Sequence, residues 1–474
     1  MKKLSLLLAL LMFFTLFVSC ASTQQEEVFD AELDTSHSID WSGKEFFILQ
    51  TSAIDETPLY YIRDTILADN AMQRLKDVAA KHNCEISLKY IGVDNTFKTL
   101  MAATLSSGDA LGDIVFTDPY QIREFGNLGG LVNIEHVLDY IDIYDETKWG
   151  APNVWEFLMC KGVMCGVVPV SWMQMEPAIF YPIIFNQNLT SSFGVPDLRE
   201  YYENGEWTRE KMMDTVVTCT DNTLATPIKG MAACLKHFIR SALLNNGTTF
   251  AEFNDDVSEY HCGWDSEAGI EALEWVKSII DNYEEYMYEF SNSSYGDWNY
   301  TNPFMNNEAT LLLTKSAEIY DKIAYEVDNF GILPFPAGPY GDPSKYVGFY
   351  EKAQTLSIPL YAKEVECSAI LIDEIFSPLE EYPDKKSMED YYNSNVFSDS
   401  RDYNIFIEMS KNCKYSFWPD GGDTFLNNIY TSLPRATPTK IIESYGTSSD
   451  ECIIEQMIPS ILTIRRLTGD DTYK

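Results

Sequence analysis

The chain has 474 residues, enough for two or three domains of ordinary size. Its 34 basic residues against 72 acidic ones leave a formal charge of −38, which argues against nucleic acid and anionic lipid headgroups as electrostatic partners, since both need basic patches. Hydrophobic content of 45% is that of an ordinary globular protein, while 29 Tyr and 9 Trp supply many ring faces.

The chain opens with Lys2 and Lys3, an apolar run over residues 4–18, then Ser19 and Cys20. A positive start, a short apolar stretch and a small residue at its end describe a secretory signal. The run falls short of the roughly 20 apolar residues a spanning helix needs. Phe17-Val18-Ser19-Cys20 resembles a bacterial lipobox, with Phe where Leu is commoner. That resemblance implies a signal peptide over residues 1–19, cleavage before Cys20, and lipid attached there. The alternative is an ordinary signal peptide with an incidental cysteine. Residues 20–40 are polar and acidic without apolar periodicity, and are expected to be a flexible tether. An extracytoplasmic, membrane-anchored location follows from this reading.

Beyond the tether, residues 44–49 are expected as a strand, 70–83 as an amphipathic helix, 85–92 as a strand, 95–105 as a helix, and 113–116 as a buried strand. This βαβαβ order predicts an α/β fold around a parallel sheet with right-handed crossovers. Ligands in such sheets collect at the carboxyl ends of the strands. Downstream, 180–185 is strand-like, Thr208 caps a helix through Val217, and 266–282 is a long amphipathic helix. Residues 309–313 form a strand, 330–336 are extended, 367–375 are helical, and 450–467 form a helix broken near Pro459. Residues 377–400 are acidic and rich in Tyr and Ser, and are expected to be a poorly ordered surface insertion.

Besides Cys20, cysteines stand at 84, 160, 165, 219, 234, 262, 367, 413 and 452. An odd number cannot all pair within the chain, and their apolar contexts suit buried free thiols, with room for one or two disulfides. The five histidines lack ligand spacing, and no nucleophile elbow, phosphate loop or dinucleotide fingerprint occurs. No metal or cofactor is expected.

Several segments then stand in one order. Ser106-Ser107-Gly108-Asp109 runs into Asp113-Ile114-Val115-Phe116, followed by GNLGGLVNI over 126–134. IIFNQNL over 183–189 is followed by Gly194-Val195-Pro196 and Trp207-Thr208. FMNNEATLLL over 304–313 precedes FGILPFP over 330–336, and Gly348 precedes Leu356-Ser357-Ile358-Pro359. Collinear in this way, they resemble the extracellular solute-binding proteins of ABC importers, in the sugar-binding branch that includes the maltodextrin-binding proteins. Gln187 and Asn307 depart from the usual Lys and Gly. The resemblance covers roughly residues 42–465. It implies a two-lobed periplasmic-binding-protein-like fold of type II with three hinge crossings, mapped near 177–182, 304–309 and 353–357. The first lobe would then be 41–178 plus 309–354, and the second 179–308 plus 355–474.

The implied activity is non-catalytic capture of a small molecule, expected to be a carbohydrate, by a monomer that serves ABC permease subunits. Sugar sites set aromatic faces against apolar sugar faces and bond hydroxyls with carboxylates and amides. Candidate ligand-binding residues are Asp118 and Tyr120 after the 113–116 strand, Trp172 and Glu176 before the first crossing, and Trp298 and Tyr300 before the second. Tyr350 and Glu351 precede the third, and Trp418 and Asp420 lie in the loop-like FWPDGGD. Trp207 and Trp275, on helices, read as packed aromatics, whereas Trp172, Trp298 and Trp418 leave packing and binding both open, as Asp118 and Asp420 leave capping. Two other functions compete: a surface glycosidase, which needs only a suitable carboxylate pair, and a sensory or adhesion lipoprotein on the same fold.

Overall fold

The structure is a computed structural model describing residues 39–61, 65–92, 94–172, 179–292, 299–344, 346–350, 353–411, 414–415, 420–445 and 447–469. Strands β1 (Glu45–Gln50), β2 (Glu85–Tyr90) and β3 (Ile114–Thr117) alternate with helices Ile66–Lys81 and Asp94–Ser107. The first of these helices starts where Thr65 accepts a hydrogen bond from the Ala68 amide, and it buries Leu67, Ala71, Leu75 and Val78 along one face. β1 pairs in parallel with both β2 and β3. Ile48, Leu49 and Ile114 to Phe116 are fully buried at its centre, as a sheet covered on both faces requires. A small hairpin, β4 (Met159–Cys160) and β5 (Val163–Met164), follows.

Next come β6 (Ile179–Phe180), β7 (Ile183–Asn186), β8 (Lys229–Ala232), the hairpin β9 (Ala251–Phe253) and β10 (Tyr260–Cys262), then β11 (Met287–Tyr288), β12 (Ala309–Leu313) and β13 (Phe330–Leu333). Five of these make a second sheet in the order β11-β8-β12-β7-β13. β11, β8 and β12 run parallel, while β7 runs against β12 and β13. The chain then passes through β14 (Phe349–Tyr350) and β15 (Thr355–Ser357), and later β16 (Lys414–Tyr415). β15 pairs antiparallel with β3 and completes the first sheet. β14 pairs with β6 and β16 in a three-stranded linking sheet.

These pairings correct the expected partition. The resemblance places residues 309–313 in the first lobe, but β12 and β13 are paired in the second sheet. The resemblance places residues 355–357 in the second lobe, but β15 is paired in the first sheet. The stretch 304–309 is not a crossing: helix Thr301–Met305 leads directly into β12. The tail also divides. Helix Val365–Ile375 is held to the first sheet's helix Ile66–Lys81 by a 2.9 Å Lys81–Glu374 ion pair. Helix Ser400–Lys411 is held to β13 by Asp402, whose carboxylate accepts the Ile332 amide at 3.0 Å. Helix Ile458–Thr468 returns to the first region, with Arg466 on Glu135 at 2.7 Å and the Thr463 hydroxyl donating to the Gly162 carbonyl at 2.8 Å. Within the supposed insertion 377–400, residues Lys385–Asn395 form a helix.

Candidate functional site

Strand direction decides where a site can form. In the first sheet the carboxyl ends of β1, β2 and β3 are Gln50, Tyr90 and Thr117. β15 enters at that same edge, because its first residue Thr355 is paired with Thr117. In the second sheet β7 begins opposite Leu313, the carboxyl end of β12, and Leu333 ends β13 beside the same Ile183. β6 feeds β7 and β14 feeds β15, so both sheets turn their carboxyl edges toward the linking sheet. Loops from both edges therefore converge there, the usual ligand position of open α/β sheets.

The first edge is well ordered by polar bonds. Thr117 Oγ1 lies 2.6 Å from Thr355 Oγ1 and 2.9 Å from Ser357 Oγ, a buried hydroxyl cluster that ties the returning strand to β3. Asp118 is the N-cap of helix Pro119–Asn127: its Oδ1 accepts the Gln121 amide at 2.9 Å, and Gln121 Oε1 accepts the Asp118 amide at 3.0 Å. This reciprocal arrangement fixes the carboxylate at the strand end. Tyr120 is half-buried, with the Arg123 guanidinium 5.1 Å from its ring centroid.

Two candidates turn out to be core. Trp172 is fully buried, packs on Phe376 at 4.9 Å and Tyr61 at 5.6 Å, and its indole N–H donates to the Ser377 carbonyl at 3.1 Å. Tyr300 is 3% exposed, and its hydroxyl donates to the Glu289 carbonyl at 3.2 Å. In both, the ring fills space and the polar tip finds a backbone oxygen, so neither presents a face to a ligand. Tyr350 lies in β14, with its backbone in register with Ile179 and Tyr415. Asp420 is the first residue of helix Asp420–Ser432 rather than part of a loop. Cys20, Glu176, Trp298, Glu351 and Trp418 fall outside the described residues. Trp207, expected to pack, is 8% exposed and donates to the Pro334 carbonyl at 2.9 Å.

Sequence reasoning missed the loop that follows β1. Gln50 is fully buried, Thr51 bonds Tyr60, and Tyr90 stands beside Gln50 in register and is 53% exposed. The available signal was the polar run Gln50-Thr51-Ser52 at the carboxyl end of an apolar strand. Burial holds the Tyr60 hydroxyl protonated above the ordinary tyrosine range, and the nearby Asp118 charge acts in the same direction. Elsewhere Cys84, Cys165, Cys219 and Cys367 are free thiols. Burial pushes the Cys165 and Cys219 thiols up to about 12, so they are inert as nucleophiles. Cys413 falls outside the described residues. No described helix is long and apolar enough to cross a membrane.

This arrangement is the periplasmic-binding-protein-like α/β fold. It is shared by an ABC substrate-binding protein of Listeria monocytogenes in complex with cycloalternan, at a TM-score of 0.61 and 14% identity over 90% of this chain and 99% of that one. A sugar transporter protein of Rhizobium etli in an open conformation matches at 0.62 and 11% identity, covering 86% and 99%. An extracellular solute-binding protein of Staphylococcus aureus in complex with maltose matches at 0.58 and 12% identity, covering 87% and 98%. No protein-family model and no curated protein matches the chain.

Proposed function

We propose that this protein captures a sugar outside the cytoplasm without transforming it, and hands it to an ABC-type importer. One observation carries the reading. Two sheets turn their carboxyl edges toward a shared three-stranded sheet made from separate stretches of chain, an arrangement that supports two lobes hinged about a ligand. A ligand with greater affinity for the closed form shifts such a hinge by that difference in affinity. The fold-mates whose names include cycloalternan and maltose support a carbohydrate. In this reading the fold is of type II, and the chain belongs with the maltodextrin-binding branch. The first lobe is built on β1, β2, β3 and β15, and the second on β7, β8, β11, β12 and β13. Asp118 and Tyr120 serve the ligand from the first lobe, and Tyr350 from the hinge. Glu176, Trp298, Glu351, Trp418 and Asp420 complete the candidate set. The protein acts as a monomer, held to the membrane through lipid on Cys20.

Isothermal titration against neutral mono- and oligosaccharides tests the reading. Binding of at least one glycan with no product formed is the expected result. Silence across the panel overturns it, and turnover abolished by one carboxylate substitution would make the protein a glycosidase.

A further inference from the structure

The loop after β1 carries a feature that packing alone does not require. Leu59 and Tyr60 are consecutive non-glycine residues with φ of 50° and 64°. That left-handed region crowds Cβ against the backbone, and side chains held there are unfavourable unless their surroundings fix them. Here the surroundings are explicit. Gln50, fully buried at the end of β1, accepts the Leu59 amide on its Oε1 at 3.0 Å. Its Nε2 shares two N–H groups among the Thr57 carbonyl at 3.0 Å, the Ser52 carbonyl at 2.9 Å and the Ser52 hydroxyl at 2.8 Å. One amide side chain thus closes the loop at four points. The Tyr60 hydroxyl is clamped in turn, 2.9 Å from Thr51 Oγ1 and 3.2 Å from the Thr51 amide that donates to it. The ring stands edge-on to Phe116 at 4.9 Å, and its side chain is half-buried.

With the polar tip fixed and one side packed, what the loop holds in place is a ring surface. It stands against Phe116 of β3, at the carboxyl edge of the first sheet, where the chain runs on into Asp118. We infer that Tyr60 is a ligand-binding residue that stacks on the apolar face of a pyranose ring, and that Gln50 is its positioning residue. The inference rests on the sugar-capture reading and adds a residue to it. The Asp118 carboxylate accepts a hydroxyl of the same sugar ring, the usual pairing of an aromatic face with an acid in sugar recognition.

The test uses the mature chain and a panel of maltose, maltotriose, cellobiose, xylobiose, galactose and tagatose. For any sugar that binds, Tyr60→Phe keeps the ring and stays within about threefold of the parent. Tyr60→Asn tolerates the left-handed backbone but removes the ring, and weakens binding about tenfold, equivalent to about 1.4 kcal/mol. Radical footprinting of Tyr60 provides a readout independent of variant folding: the bound sugar protects this tyrosine in the parent. In Gln50→Leu that protection is lost while the thermal transition remains cooperative. A sugar that binds parent and Tyr60→Asn equally, or leaves Tyr60 unprotected in the parent, overturns the inference and leaves sugar capture standing. No binding by the parent to any sugar overturns both.

Discussion

Asp399 lies among cations. Arg401 reaches its carboxylate at 2.6 Å and also bonds Asp197 at 2.7 Å, and Arg199 stands 3.9 Å from it. The hydrogen bond from Arg401 holds the Asp399 carboxyl down at about 2, with the charge of Arg199 assisting. An unfolded aspartate titrates near 3.9. The folded value is the lower of the two, so the group stabilises the fold above about pH 4, and that contribution is lost as pH falls toward 2. Asp399→Asn is therefore expected to be less stable than the parent at pH 7, with the gap narrowing by pH 2.5. Urea midpoints at the two pH values measure this; a gap independent of pH would mean the carboxylate contributes nothing by charge. Legibility at this scale was uneven. Trp172 and Tyr60 are both aromatic residues, yet one is fully buried and the other half-buried. The difference lies in partners distant in sequence, Phe376 and Ser377 for Trp172, which no local pattern contains. The Asp118 cap, by contrast, was legible as one of its two readings because capping is local.

A helix and a strand meet closely at Gly230. A Cβ placed there would lie 1.9 Å from the Val216 carbonyl oxygen, in helix Arg209–Thr218, which packs across β8. The obstacle is rigid backbone on both sides, so neither element can yield by rotating a side chain. Gly230→Ala is expected to cost about 3 kcal/mol, the upper range for overpacking a core, and should be read as a lowered urea midpoint with an unchanged slope. A loss below about 0.5 kcal/mol would show that the helix slides freely on the strand. Element type was largely legible for the same local reasons. The expected strands 44–49 and 113–116 are observed at Glu45–Gln50 and Ile114–Thr117, and the helix expected over 266–282 is Glu267–Tyr283, capped by Ser266. Sheet membership was not legible. β12 is buried at every position, so its composition states that it is central without naming the sheet. Which strands flank it is fixed by Phe185 and Met231, far away in sequence.

At the scale of the whole molecule, the order of the chain separates attachment from binding. The proposed lipid site at Cys20 precedes the first described strand by a polar stretch, whereas every candidate binding residue lies at or beyond Gln50. A tether acts on the rate of encounter with a membrane partner by raising effective concentration, and it leaves the ligand's contacts unchanged. Stable anchoring needs more than one acyl chain, so removing the attachment atom should release the protein rather than loosen it. Cys20→Ala, expressed in a bacterial host, is expected to move the protein from the membrane fraction to the soluble or secreted one. Affinity for any sugar the parent binds should stay within about twofold, while uptake supported by the importer falls. Retention in the membrane fraction would return residues 1–19 to an ordinary signal or a spanning segment. Lost affinity in the released form would mean that the amino-terminal stretch takes part in binding, and that the loops at the two sheet edges are not the whole site.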